Sequence, residues 1–433
     1  MKLWGYKYHI IWIGLFFLFQ GCFRQILEGD RENRDMRIEN PYRGTVSIPF
    51  DQINNLVVIP TRINNSDTLW FVLDTGAGRT VITELAEDQG FTIKYQREIM
   101  INGLGDSDPI PALLSEGNNI FLNGIEGENH TVVFLLEGRF NLSNFMGKQV
   151  NGLMGYDIFE NFIVEVDYQR EKLYFHDPDA YEKEYEKKKQ SNKWTYVPLD
   201  LYKNKLYMDV DMIQSDSSLI KTRLLIDTGA SHSIFLYPES KDGIIIPKNT
   251  IDSYLGAGLN GEIYGKIGRA RKIILNDLEL EYPIVSYPNI DGIKKVLGRG
   301  DRNGSIGADF FKRFKVIFNY NEPSMLLKPN KNFDEDFSYN TSGMEITTPF
   351  LNLPYYVISE VRPGSPAALA GIQEDDVLYE VNFKRIYEYE LNEILKIFHN
   401  TESTTIKLYV RRNNELEFFE IKIDDKTKLD DQG

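Results

Sequence analysis

Two aspartates in this sequence stand in matching surroundings. Asp74 ends the apolar run of FVLDTGAGRT (71–80), and Asp227 ends that of LLIDTGASHS (224–233). The sites are 227 − 74 = 153 positions apart, and a second motif, NGLMG at 151 and NGSIG at 303, recurs at 303 − 151 = 152. Near-equal offsets imply one duplicated unit. A single Asp-Thr-Gly reads as an ordinary turn, but a matched pair can do more. If the halves meet about a pseudo-twofold axis, two carboxylates about 3 Å apart cannot both ionise cheaply, so they share a proton and titrate together. The ionised acid can draw a proton from a water held between them while the protonated acid hydrogen-bonds a carbonyl oxygen. That suffices for amide hydrolysis without a covalent intermediate. Gly76 and Gly229 allow close backbone approach, and Ala77 and Ala230 keep the surroundings small. Thr75 and Thr228 are placed to brace the pair across the axis.

Positioning such a pair needs a rigid frame, and the flanking sequence supplies strands. TVSIPF, NLVVIPTRI and LWFVL alternate or run apolar between turn residues such as INNSD, so the fold class is mainly β. The halves are expected at 43–178 and 195–330, joined by a charge-dense segment, 179–194, that reads as a solvated linker or surface helix. His232 reads as an exposed turn residue. GAGLNG (256–261) matches the dinucleotide fingerprint Gly-x-Gly-x-x-Gly, but the adjoining EIYGKIGRARKIIL alternates like a strand instead of opening a helix, which argues against a nucleotide site.

An apolar residue before Asp-Thr-Gly-Ala, followed roughly 80 residues later by an apolar pair and glycine, is a family pattern. Leu153-Met154-Gly155 meets it, and Ser305-Ile306-Gly307 meets it less well because Ser305 breaks the apolar pair. Residues 43–330 resemble a retropepsin-like aspartic peptidase with both halves fused in one chain. The resemblance implies two pepsin-like β-barrel halves in a bilobal pseudo-twofold unit, Asp74 and Asp227 as catalytic dyad, a polypeptide substrate and no cofactor. It also implies glycine-rich hairpin flaps, expected in MINGLGDSDPIP (100–111) with Gly103 and Gly105, and in YLGAGLNGEIYG (254–265) with Gly256 and Gly258. Ala77 and Ala230 stand where pepsins carry a hydroxyl that bonds the acid, which implies a less acidic dyad and activity nearer neutral pH. Two halves on one chain favour intramolecular pairing and a monomer; pairing between two chains is the alternative.

Residues 342–425 differ in character: strand, GSPA turn into a short helix, strand, the amphipathic EYELNEILKIFH, then two strands. This resembles a small α+β PDZ domain of the bacterial circularly permuted type, implying a peptide or protein ligand added to a sheet edge. The expected peptide-binding loop is LNLPYY, with Leu353, Pro354, Tyr355 and Tyr356. Pro354 replaces the usual glycine and has no N–H to donate, so tight capture of a free C-terminus is not expected. Internal substrate segments, or a lid-like role, are the alternatives. Asp375 likewise replaces a common glycine.

The first 22 residues carry Lys2, Lys7 and an apolar run from Ile10 to Phe19, of signal-peptide length and too short to span a bilayer. Phe-Gln-Gly-Cys resembles a bacterial lipoprotein box with Cys22 lipidated, residues 23–42 forming a tether. This implies a lipid-anchored protein of the bacterial cell envelope. Cys22 is the sole cysteine, so no intrachain disulfide is possible. A net charge of -15 argues against nucleic acid as main partner. The five histidines form no ligand motif, so no metal is expected, and there is no Gly-x-Ser-x-Gly elbow. An exported aspartic endopeptidase is thus the leading expectation, with a catalytically inert PDZ-bearing scaffold lipoprotein as its rival.

Overall fold

The computed structural model describes residues 36–423 and 429, apart from 41, 86–89, 91, 92, 95, 106, 137–140, 298–300, 352 and 403. Cys22 and most of the expected tether lie outside the described residues.

The strand Leu69–Leu73 is buried at every position but Trp70 and delivers Asp74 at its end. It pairs antiparallel with Leu56–Ile63 and parallel with Gly152–Met154, so Val72 faces both Val58 and Leu153. The second half repeats this. Leu219–Ile226 lies between Lys205–Ile213 and Gly304–Ile306, and Leu225 faces Tyr207 and Ser305. The sequence repeat is therefore a structural repeat, built on a nine-stranded and a ten-stranded sheet.

A third sheet of six strands joins the halves, with three strands from each. At its centre Ile163–Asp167 pairs antiparallel with Phe314–Asn319, and Glu165 faces Ile317. Since 317 − 165 = 152, the repeat offset, Glu165 faces its own counterpart and the pseudo-twofold axis passes through this central pair. One apolar core extends through both halves, from Ile48 and Phe71 to Leu224 and Phe318.

The charged connection is more than a solvated linker. It forms the helix Pro178–Lys189, capped by Asp177, whose Tyr181 and Tyr185 fall one turn apart and are both buried. Lys188 Nζ lies 3.0 Å from Glu165 Oε2, and Lys315 Nζ lies 2.5 Å from Glu165 Oε1. Burial opposes ionisation of Glu165, but His176 at 3.8 Å, the Lys315 hydrogen bond and the charge of Lys188 prevail and hold it well below the usual carboxylate range.

The last unit has its own core, including Ile358, Leu408 and Phe398. Its sheet runs in the order Met344–Thr347, Val357–Val361, Val377–Val381, Thr404–Arg412, Glu415–Ile423, with helices Pro366–Ala370 and Leu391–Phe398. Asp375, at its glycine-like position, has φ 68°. Beside it, buried Asp376 holds Arg412 through both Nε (2.7 Å) and Nη2 (2.6 Å). This unit docks on the first half. The Asn392 side chain accepts from Asn54 N–H at 2.9 Å and donates to Gln52 O at 2.7 Å, and Thr348 donates its N–H and hydroxyl to Asn144 O.

Candidate active site

The two Asp-Thr-Gly turns meet at the axis, locked by four reciprocal hydrogen bonds. Thr75 N–H donates to Thr228 Oγ1 (3.1 Å) and Thr228 N–H to Thr75 Oγ1 (3.0 Å). Each hydroxyl then donates across the axis, Thr75 to Ile226 O and Thr228 to Leu73 O, both at 2.8 Å. Both threonines are buried. Gly76 donates its N–H to Asp74 Oδ1 at 2.7 Å. A Cβ on Gly76 would sit 2.8 Å from Asp227 Oδ1, and one on Gly229 would strike Asp74 Cγ. Only glycine lets each turn approach the opposite acid this closely. Ala77 takes part as backbone: Tyr156 N–H donates to its carbonyl at 3.1 Å, and Ala308 N–H donates to Ala230 O at 2.8 Å.

This proximity reshapes the acids. Burial, then the neighbouring Asp227 charge, pushes Asp74 up to about 7, against the pull of Lys205. Burial also raises Asp227, with Lys205 and Arg302 opposing it and a hydrogen bond from Asp74 favouring its ionised form. Both acids are held above the usual carboxylate range, so the pair shares a proton and titrates as a unit.

The pair opens into a cleft of about 1280 Å³. Its roof is made by the two glycine-rich segments. The hairpin of Ile251–Gly258 and Gly261–Arg269 carries Asn260 at its tip, buried against Gly103, Leu104, Ser107 and Asp108 of the other half. Asn260 N–H donates to Leu104 O (2.8 Å), Ser107 N–H to Asn260 O (3.0 Å) and Asn260 Nδ2 to Asp108 O (2.6 Å), while Gly103 N–H donates to Asn260 Oδ1. Gly103, Gly105 and Gly258 all lie at this contact, where an added Cβ would collide with the facing segment. Gly105 needs glycine twice over, since its φ is 113°. Gly256 differs: it has open space around it, and its φ of 125° accompanies a bulge after Tyr254.

Two expectations need correction. His232 is not an exposed turn residue. Its ring stacks on Phe235 with centroids 3.7 Å apart, Nε2 lies 3.1 Å from Ser305 Oγ, and burial pushes it down to about 3. It is neutral at ordinary pH, and it explains why Ser305 interrupts an otherwise apolar motif. The second correction concerns the peptide-binding loop. Leu353, Pro354, Tyr355 and Tyr356 join Met344–Thr347 to Val357–Val361, and Tyr356 is buried in the domain core. Strand addition needs an edge; Val357–Val361 has a neighbour on both sides, whereas Glu415–Ile423 lies at one edge of the sheet and Met344–Thr347, the neighbour of Val357–Val361, at the other. The approach to that edge is Asn340–Gly343, which sequence reasoning missed. There Asn340 Oδ1 already accepts from Gly343 N–H (2.9 Å) and Ser342 Oγ (2.8 Å). The X-Gly-apolar pattern of Ser342-Gly343-Met344 was the available signal.

Lys205, Arg302, Asn260 and Asn392 were also missed, because only the fold brings them to the cleft.

Residues 59–158 match the aspartyl protease family model, and residues 357–412 match a PDZ domain model. A probable CtpA-like serine protease of Staphylococcus haemolyticus (strain JCSC1435) is 30% identical over 92 residues, 21% of this chain and 18% of that protein, so the match spans less than a fifth of that relative. The crystal structure of aspartic proteinase from Irpex lacteus aligns with a TM-score of 0.43 at 12% identity, over 67% of this chain and 99% of that one. The chain joins an aspartic-protease-like domain to a PDZ domain.

Proposed function

We propose that the chain is an aspartic endopeptidase that hydrolyses polypeptides with a water activated between Asp74 and Asp227. The observation that carries this is the reciprocal threonine lock, which holds the buried Asp74 carboxyl against the half-buried Asp227. In the reaction, Asp227 takes a proton from the water as its oxygen attacks the scissile carbonyl carbon, and Asp74 donates a hydrogen bond and then its proton to the carbonyl oxygen. Asp227 next passes its proton to the amide nitrogen, the C–N bond breaks, and the collapsing diol returns a proton to Asp74. Acid and base are regenerated, and water's atoms are divided between the two products.

Opening of the Asn260 clasp admits the substrate. The PDZ domain borders the same cleft through Asn392 and Lys396, which favours a role with polypeptide segments near the dyad. Its Asn340 occupies the donors that a free carboxylate would use, which weighs against an inert module capturing C-termini. An N-terminal lipid on Cys22, in a bacterial cell envelope, completes the reading; loss of fatty-acid labelling in Cys22→Ala would support it, and retained labelling would remove it.

The test of catalysis is hydrolysis of an unfolded protein by the full chain. Asp74→Asn and Asp227→Asn should each lower kcat by about a thousandfold or more. Undiminished hydrolysis in either variant refutes the assignment.

A further inference from the structure

The pseudo-twofold repeat allows the two walls of the cleft to be compared position by position. Tyr207 faces Leu225 as Val58 faces Val72, and 225 − 153 = 72, so Tyr207 and Val58 are counterparts; two residues earlier on the same strands, Lys205 answers Leu56. From the second repeated motif, 302 − 152 = 150, so Arg302 answers Val150. In the first half these positions belong to an apolar cluster with Leu142, Met146 and Leu153, and Leu56, Leu142, Met146 and Leu153 line the cleft. In the second half Lys205, Tyr207 and Arg302 line it instead. Two related sites on one frame thus carry opposite chemistry.

Arg302 is the sharper observation. Its residue is only 7% exposed, yet it borders the cleft, and its Nε has no hydrogen-bond partner among the described residues. Its guanidinium lies 5.6 Å from the Tyr237 ring centroid. Burying a guanidinium with an unmet donor is costly unless an anion completes it. Lys205 is half-buried on the same wall and, with Arg302, acts on Asp227 through its charge. Arg302 acts on Asp227 through charge, which leaves its Nε donor to be met by another anion.

An extended polypeptide crossing the dyad sends successive side chains to opposite faces. The residues flanking the scissile bond therefore fall toward different halves. We infer that this site takes polypeptides carrying an acidic side chain, aspartate or glutamate, against Lys205 and Arg302 on the second half, and an apolar side chain against Leu56, Met146 and Leu153 on the first. The inference rests on the proposed peptidase activity and adds its substrate class.

The test uses the full chain and matched peptides with Leu-Glu, Leu-Gln, Glu-Leu or Gln-Leu at the centre. In one of the two orders, the Glu peptide should be cut with kcat/KM about tenfold or more above its Gln partner. Arg302→Leu and Lys205→Leu should each bring that ratio toward one, and Arg302→Lys should retain part of it. The ratio is read within each variant, so a loss of overall activity does not mimic the effect. If Arg302→Leu gives no cooperative melt, the wild-type ratio and Lys205→Leu still decide. Equal cleavage of Glu and Gln peptides in both orders, or an undiminished ratio in both Leu variants, overturns the inference while leaving the peptidase reading intact. No cleavage of any peptide or of unfolded protein overturns the peptidase reading, and the inference with it.

Discussion

The two halves keep the same backbone register around their aspartates and differ at the flanking positions of the cleft wall. Val72 and Leu225 hold equivalent places between equivalent strands, and Thr75 and Thr228 make mirror-image bonds. Around that invariant centre the first half offers Leu56, Met146 and Leu153, and the second offers Lys205, Tyr207 and Arg302. The difference separates two demands on a duplicated unit. Sharing a proton requires symmetry at the axis, whereas binding a directional polymer requires asymmetry a few ångströms away. The asymmetry also reaches the acids: Lys205 favours the charged form of both, whereas Arg302 is felt chiefly by Asp227.

Breaking the symmetric part should have the largest effect. Thr75→Val and Thr228→Val each remove two of the four cross-axis bonds and leave a buried N–H without its acceptor, at about 1–3 kcal/mol of stability. Both should lower kcat by about a hundredfold. Similar losses in the two variants, measured by steady-state kinetics, are expected; a harmless change at one of them would show the lock is one-sided.

The interdomain sheet sharpens the comparison next. Lys315 pairs with Glu165, while its counterpart in the first half is Ile163, since 315 − 152 = 163. Lys315→Ala should destabilise by about 3 kcal/mol at pH 7, because it leaves a buried carboxylate short of a partner. Glu165 is held below its ordinary range, so its stabilisation is full above pH 4.5 and fades as pH falls. The penalty of Lys315→Ala should therefore shrink in acid, as denaturant melts at pH 7 and pH 3 would reveal.

Asp74 has the opposite sign. Its folded pKa is raised from 3.8 to about 7, so ionisation costs stability progressively as pH rises through that window. Asp74→Asn removes the cost and should raise stability by about 2 kcal/mol at pH 8, with little change at pH 4. Calorimetry that found equal shifts at both pH values would mean Asp74 is an ordinary carboxylate.

The smallest effect is expected at the roof. Asn260→Ala removes the side-chain bonds to Gly103, Ser107 and Asp108 while leaving the backbone bonds of the clasp. KM should rise by about threefold to tenfold with kcat less affected. A fall in kcat at constant KM would assign Asn260 a different role.

Much of this was legible in the sequence because it was written twice. The repeat of Asp-Thr-Gly-Ala and Asn-Gly-x-x-Gly at one offset located both acids, both threonines and the β frame without any long-range information. What could not be read depends on contacts between distant segments. Tyr181 and Tyr185 looked like part of a solvated charged run until the six-stranded sheet supplied a surface for them. His232 looked like a turn residue because Phe235 and Ser305 become its neighbours only after folding. The peptide-binding loop was assigned one strand too late. Sequence marks the strand before the GSPA turn clearly, but which strand forms the edge is a property of the whole sheet.

The most direct test of the central claim is carbon-detected NMR of the chain labelled at aspartate Cγ, with signals assigned through Asp74→Asn and Asp227→Asn. A proton-sharing pair predicts that one carboxyl of the two still carries its proton at pH 6 and titrates near 7, and that Asp74→Asn moves the Asp227 titration. Two carboxylates both ionised by about pH 5, each indifferent to loss of the other, would contradict it.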